Sequence, residues 1–263
     1  MKLQEKISIY YTSLTNTERK ICTVILDDPT VVSEHSIIDA AELCSTSKSA
    51  MLRFAKKLGY SGYSEFKYAV GESFIKEEKQ NTESGDIYQE IVSSYSQTIT
   101  ELSKQDYNIQ LTSLAEYIDQ YKYVEVIGIG NSSFCAKQLK YSLFSHNKYI
   151  GDATDREEIK CLTQCITKDY LIIIFSVSGA LDTYGQLVKA ASQKKARVVL
   201  ITMNPDNALE KYVNTSFVLP STMHLLKDTK VLKQLDNRTT MHFFAEVISY
   251  YYGLYLEKQV LEG

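Results

Sequence analysis

The longest unbroken apolar run of strand character lies at Tyr170–Phe175, which reads Y-L-I-I-I-F. A short run rich in β-branched residues, with no polar interruption, is what a strand buried on both faces of a parallel sheet requires. It predicts a central strand. Around it the pattern alternates. Strands are expected at Tyr123–Ile127, Lys148–Ile150, Arg197–Thr202 and Ser216–Leu219, and helices at Ser133–Ser145, Glu157–Gln164 and Leu181–Lys195, with a short one near Ala208. This layout predicts a doubly wound α/β domain with about five parallel strands, whose ligands sit at the carboxyl ends of the strands.

The first part of the chain follows a helical period instead. Thr15 and Glu18 fit a capping box, and Ile21, Val24 and Ile25 share one face until Asp27-Asp28-Pro29 stops the helix. Ser36 with Asp39 starts a second, short helix ending near Cys44. Ser45 and Thr46 form a turn, and Ser47 caps the next helix. In that helix Met51, Phe54, Ala55 and Leu58 make one inward stripe, leaving Lys48, Ser49, Arg53, Lys56 and Lys57 outward, and Gly59 closes it. Two helices joined by a tight turn, the second with a small and basic outer face, describe a helix-turn-helix; a solvated amphipathic helix has the same spacing. Residues 80–86 (Q-N-T-E-S-G-D) read as a linker, followed by helical patterns at Ile87–Ser103 and Ile109–Tyr121. The expected domains are therefore 1–79 and 87–263, all-α then α/β.

Composition changes this picture little. With 44% hydrophobic and 23% charged residues the chain is that of a folded globular protein, and no apolar run approaches a membrane span or a signal-peptide core. It is expected in the cytoplasm, away from membranes. Five cysteines without framework spacing agree with a reducing compartment; Cys161 and Cys165, four apart, are expected as small buried residues and not as a metal site.

Charge is more informative. The net value is −3, yet Ser45–Tyr68 holds Lys48, Arg53, Lys56, Lys57 and Lys67 against Glu65 alone. A local basic patch on an otherwise acidic chain is suited to a polyanionic partner.

The segment R-F-A-K-K-L-G-Y-S-G-Y-S-E-F-K from Arg53 to Lys67, with Leu14-Thr15 and Glu18 before it, resembles the N-terminal domain of RpiR-type bacterial transcription regulators. The resemblance implies a helix-turn-helix of about five helices that binds a double-stranded DNA operator. Ser45, Ser47, Lys48 and Ser49 would lie nearest bases and phosphates, with Arg53 contacting a guanine and Lys56 and Lys57 the backbone. Ala50 stands where the family usually has Thr.

Two small loops follow strand ends further on: Gly128-Ile129-Gly130-Asn131-Ser132 and Ser176-Val177-Ser178-Gly179. A strand that hands over to a helix through glycine and serine can hold a phosphate. The first loop lacks the third glycine of a dinucleotide fingerprint. Together the two resemble the phosphosugar-binding loops of SIS (sugar isomerase) domains, which RpiR-type regulators carry at their C-terminus. The resemblance implies a sugar phosphate effector held by Gly130, Asn131, Ser132, Ser176, Ser178 and Gly179, with no cofactor, metal or catalytic residue. Ala180 and Leu181 depart from the family, which has a polar residue and then Thr; the lost hydroxyl would be worth about 1 kcal/mol or more. Leu181 would pack under its helix.

The last helix, to about Glu257, carries Phe243, Phe244, Val247, Ile248, Tyr251, Tyr252 and Leu254, more apolar surface than one stripe usually hides. It suits a homodimer or higher homo-oligomer, or packing on the sheet. Arg238, at its start, occupies the place of an arginine often seen in the family. Two other readings stay open: a sugar phosphate isomerase or lyase, with Glu157, Glu158, His224 or His242 as base, and a regulator whose small-molecule site no longer binds.

Overall fold

A computed structural model describes residues 3–75, 87–221, 225–226, 233–234 and 238–262. The expected linker at 80–86 and His224 lie outside the described residues. The chain forms two compact units, one of residues 1–96 with 221–237, the other of 97–220 with 238–263.

The first unit is helical: α1 (Leu3–Tyr10), α2 (Asn16–Asp27), α3 (Thr30–Ser33), α4 (Ile37–Leu43), α5 (Lys48–Lys57) and α6 (Tyr63–Ile75). Thr15 caps α2 with the full reciprocal box, the Glu18 N–H donating to Thr15 Oγ1 and the Thr15 N–H to Glu18 Oε2. Ser36 and Ser47 cap α4 and α5 through the N–H groups of Asp39 and Ala50. The inward stripe of α5 is buried as its spacing requires: Met51, Phe54, Ala55 and Leu58 are inaccessible to solvent. Phe54 meets Phe66 of α6 edge-on at 5.6 Å, the geometry aromatic quadrupoles prefer. Gly59, at φ +83°, turns the chain out of α5 in the left-handed region where a side chain is strained.

The second unit begins in α7 (Ile87–Leu102), which spans the boundary, and α8 (Asn108–Gln120). It continues through β1 (Tyr123–Gly128), α9 (Ser132–Phe144), β2 (Gly151–Ala153), α10 (Arg156–Cys165), β3 (Tyr170–Phe175), α11 (Leu181–Lys194), β4 (Arg197–Thr202) and β5 (Thr215–Val218). The strands form one parallel sheet in the order β2-β1-β3-β4-β5. β3 is central, and Leu171 to Phe175 are fully buried. A short hairpin of β6 (Leu225–Leu226) and β7 (Lys233–Gln234) belongs to the first unit, and α12 (Thr239–Glu262) closes the second.

Several expectations shift. β2 begins at Gly151, three residues beyond the expected Lys148, because its pairing with β1 aligns Gly151 with Glu125. The helix expected near Ala208 is a single 3-10 turn at Glu210–Tyr212. Cys161 and Cys165 are exposed, not buried. The inward face of α10 is set by Ile159 and Leu162 and continues into Ile166, which leaves the two cysteines on the solvent side. Leu181 does not pack under α11 but sits at its start, 36% exposed.

Candidate functional site

The loops after β1 and β3 meet at the carboxyl end of the sheet, as adjacent parallel strands must bring them. Each offers one buried serine. Ser132, the first residue of α9, is 4% exposed, and its Oγ accepts a hydrogen bond of 3.2 Å from Arg238 Nε, itself buried. Ser176, 5% exposed, follows β3, and its Oγ accepts from the Gly179 N–H at 3.2 Å. Ser178 is half-buried, whereas Gly130 and Asn131 lie at the more open rim.

A third loop, after β4, holds the serine loop from behind. Asn204 Nδ2 donates to the Ser178 carbonyl at 2.9 Å, and Thr202 Oγ1 to the Val177 carbonyl at 3.1 Å. Asn207 ties this loop to itself by donating to the Asn204 carbonyl. Gly179 adopts φ +59°, and a Cβ there would lie 2.6 Å from Asn207 Cβ. No side chain fits at Gly179 without displacing Asn207.

Tyr184 of α11 is buried beside both serine loops, near the Ser176 side chain and the Ile129 main chain. Burial pushes its hydroxyl up to about 12, while the neighbouring Ser176 and Ile129 and the charges of Arg156 and Arg238 act in the opposite direction. Tyr184, Thr202, Asn204 and Asn207 have no signature in the sequence, because their role depends on which loops the sheet brings side by side. α11 itself begins at Ala180 with no side-chain cap. Its first-turn N–H groups therefore face the loop without a capping hydroxyl.

The carboxylates considered as bases are engaged elsewhere. Glu158 completes a capping box with Asp155, and Glu157 is exposed, 3.5 Å from Lys160. His242 sits in the first turn of α12, its N–H bonded to the Arg238 carbonyl. Among the described residues no group of three or more His, Cys, Asp or Glu could hold a metal ion. No helix of the described residues is long and apolar enough to cross a membrane.

In the helical unit, Ser45, Ser47, Lys48, Ser49, Arg53 and Lys56 lie around the turn and outer face of α5, open to solvent. Ser45 holds φ +50° and, with Thr46, closes α4 through N–H bonds to the carbonyls of Glu42 and Ala41. Lys57 differs from its neighbours. Its ammonium donates to Glu18 Oε2 at 2.8 Å and to the Ser13 carbonyl.

The helix-turn-helix domain model of the rpiR family matches residues 1–77, and the SIS domain model matches residues 117–246. The chain belongs to the RpiR family. The HTH-type transcriptional regulator GlvR of Bacillus subtilis is 28% identical over 247 residues, covering 93% of this chain and 90% of the relative. An uncharacterized HTH-type transcriptional regulator of Clostridium perfringens is 22% identical and covers 94% and 92%. Among solved structures, NanR of Vibrio vulnificus, complexed with ManNAc-6P, aligns with a TM-score of 0.56 at 18% identity, covering 94% of this chain and 90% of its own. The sugar isomerase domain of an RpiR transcription factor from Sphaerobacter thermophilus aligns at 0.54 and 14% identity, covering 65% and 93%. The α/β unit of this RpiR-family protein therefore has the SIS fold, and its two serine loops are those that the family model spans.

Proposed function

We propose that this RpiR-family protein is a DNA-binding transcription regulator of sugar-metabolism genes whose SIS domain binds a sugar phosphate and thereby alters operator affinity. The observation that carries the reading is the pair of buried serines, Ser132 and Ser176, presented from two strand ends at the carboxyl edge of the sheet, with the buried Arg238 bonded to Ser132. Buried hydroxyls and a buried guanidinium at a strand-to-helix turn suit a phosphate. The similarity in fold to the NanR protein complexed with ManNAc-6P supports it. Ser132, Ser176, Ser178 and the main chain around Gly130, Asn131 and Gly179 would surround the phosphate.

DNA is read by the α5 face: Ser45, Ser47, Lys48 and Ser49 at the turn, Arg53 on a base, Lys56 on the backbone, with Lys57 holding the helix in place. Two copies give the two-fold symmetry that half-sites about 34 Å apart, or a multiple of it, demand. α12 offers apolar surface for that pairing, since Phe243, Tyr250 and Leu254 remain exposed while Phe244, Ile248 and Tyr252 are buried. A DNA-binding role sets its place in the cytoplasm. The curated relatives are named as regulators, which favours sensing over turnover.

A thermal-shift screen against phosphorylated hexoses, amino sugars and pentoses tests the reading, repeated on the variant Ser176→Ala with Ser178→Ala. A ligand at 100 times its dissociation constant adds about 2.7 kcal/mol. That raises the midpoint by about 5 to 10 °C for a chain of this size. A shift lost in the double variant supports an effector at the serine loop. No shift with any compound favours the second reading, a regulator whose site no longer binds, for which Ala180 and Leu181 are the observation.

A further inference from the structure

The proposed phosphate site contains less neutralising chemistry than its loops alone would suggest. Ala180 supplies no side-chain cap to α11 and Leu181 no hydroxyl. Asp182, in the first turn of α11, adds an exposed carboxylate where an anion would sit. A phosphate carries close to two negative charges at neutral pH. Arg238, buried behind Ser132 with its Nε donating to the Ser132 hydroxyl, supplies one positive charge. A second cation, also from outside the two serine loops, would match the charge of the phosphate.

The sheet places one there. β2 pairs with β1 so that Ala153 aligns with Ile127, and β1 with β3 so that Gly128 aligns with Phe175. The residues just after β2 therefore emerge at the same sheet edge as Gly128–Ser132 and Ser176–Gly179. Arg156 is the first residue of α10 and is exposed. Its position is rigid, because Asp155 and Glu158 lock the helix start in a reciprocal box and Glu158 also accepts from the Thr154 N–H at 2.6 Å. The three nearby carboxylates have other partners, Asp155 and Glu158 each other's main chain in the capping box and Glu157, exposed, Lys160 at 3.5 Å. Among the described residues Arg156 forms no ion pair. Its charge also lowers the buried Tyr184 hydroxyl, which lies beside the two serine loops.

We infer that Arg156 is a phosphate-binding residue of the effector site, closing over the anion from the β2 side opposite the α11 helix start and replacing with charge the hydroxyl that Leu181 lacks. This rests on the reading of the serine loops as a phosphate site. An arginine can address two phosphate oxygens at once, so the exchange of a hydroxyl for a guanidinium strengthens the contact and makes it salt-dependent.

The test is calorimetric titration of the full chain with the phosphosugar that stabilises it, and with inorganic phosphate as the minimal probe, on the wild type, Arg156→Gln and Arg156→Lys. Arg156→Gln should lose about tenfold or more in affinity for both anions, consistent with one charge-assisted contact. Arg156→Lys should recover part of it, and the wild-type affinity should fall more steeply with salt than that of Arg156→Gln. Arg156 is exposed, so folding survives the change, and equal thermal midpoints of the unliganded proteins check this. Wild-type affinity in Arg156→Gln would overturn the assignment while leaving the serine-loop reading intact. Loss for the phosphosugar with none for inorganic phosphate would also overturn it, since Arg156 would then touch the sugar and not the phosphate. A wild type that takes up neither anion removes the site reading and the assignment together.

Discussion

Lys57 Nζ lies 2.8 Å from Glu18 Oε2, which ties the last turn of α5 to the first turn of α2. Glu18 is at the same time the capping residue of α2. One carboxylate therefore holds both the helix start and the recognition helix. The sequence counts Lys57 among five basic residues of one patch, but its ammonium is already neutralised. Lys57→Ala should cost about 1 kcal/mol of stability in urea unfolding, as a partly buried pair does. The salt slope of operator binding should stay as it is. Lys56→Ala, on the exposed face, should leave stability alone and lower the slope by about 1.

Arg53 is the exposed basic residue at the centre of the α5 face. Arg53→Ala should weaken specific operator binding by about 1 to 3 kcal/mol and random DNA far less. Equal loss on both in a gel-shift competition would show that it reads no base.

The Glu18–Lys57 tie also predicts a pH dependence. Burial alone would raise the Glu18 carboxyl, but the Lys57 ammonium and the Thr15 N–H outweigh it and hold it below its ordinary value of 4.5. A depressed carboxyl contributes stability that is complete above its unfolded value and disappears as pH falls through its folded one. The helical unit should therefore weaken on acidification below about pH 4.5, and Glu18→Gln should flatten that part of the profile followed by helical circular dichroism.

Ser45 gives a test that separates structure from recognition. Its φ of +50° is one that glycine adopts freely, so Ser45→Gly should be neutral or stabilising by up to about 1 kcal/mol. A concurrent loss of operator affinity would assign the missing hydroxyl to DNA.

In the SIS domain, Gly179→Ala should deform the serine loop, because the new Cβ would lie 2.6 Å from Asn207 Cβ at a backbone angle that opposes a side chain. A lowered midpoint together with lost effector binding is expected; retained binding would show that the loop does not need this backbone approach.

What the sequence determined by itself was everything local. A strand buried on both faces must be apolar throughout, so β3 was legible to the residue, as was β4. Capping depends on residues three apart, so the starts of α2, α4 and α5 were legible as well. The serines of both loops stood out because glycine and serine directly after a strand gather N–H groups and hydroxyls at one turn, which suits an anion. Elements without such signals were not legible: α1, the single turn of α3, and α6, whose apolar residues do not form one clear stripe.

Only the tertiary structure decided what those residues touch. The burial of Arg238 against Ser132, the burial of Tyr184 beside the loops, and the brace of Asn204 behind the serine loop all join segments apart in the chain. The exposure of Cys161 and Cys165 and the commitment of Lys57 to Glu18 belong with them. The physical reason is the same in each case. Propensity and periodicity act over a few residues, whereas a side chain's burial, charge partner and hydrogen bonds are set by which surfaces the sheet order and helix packing bring together.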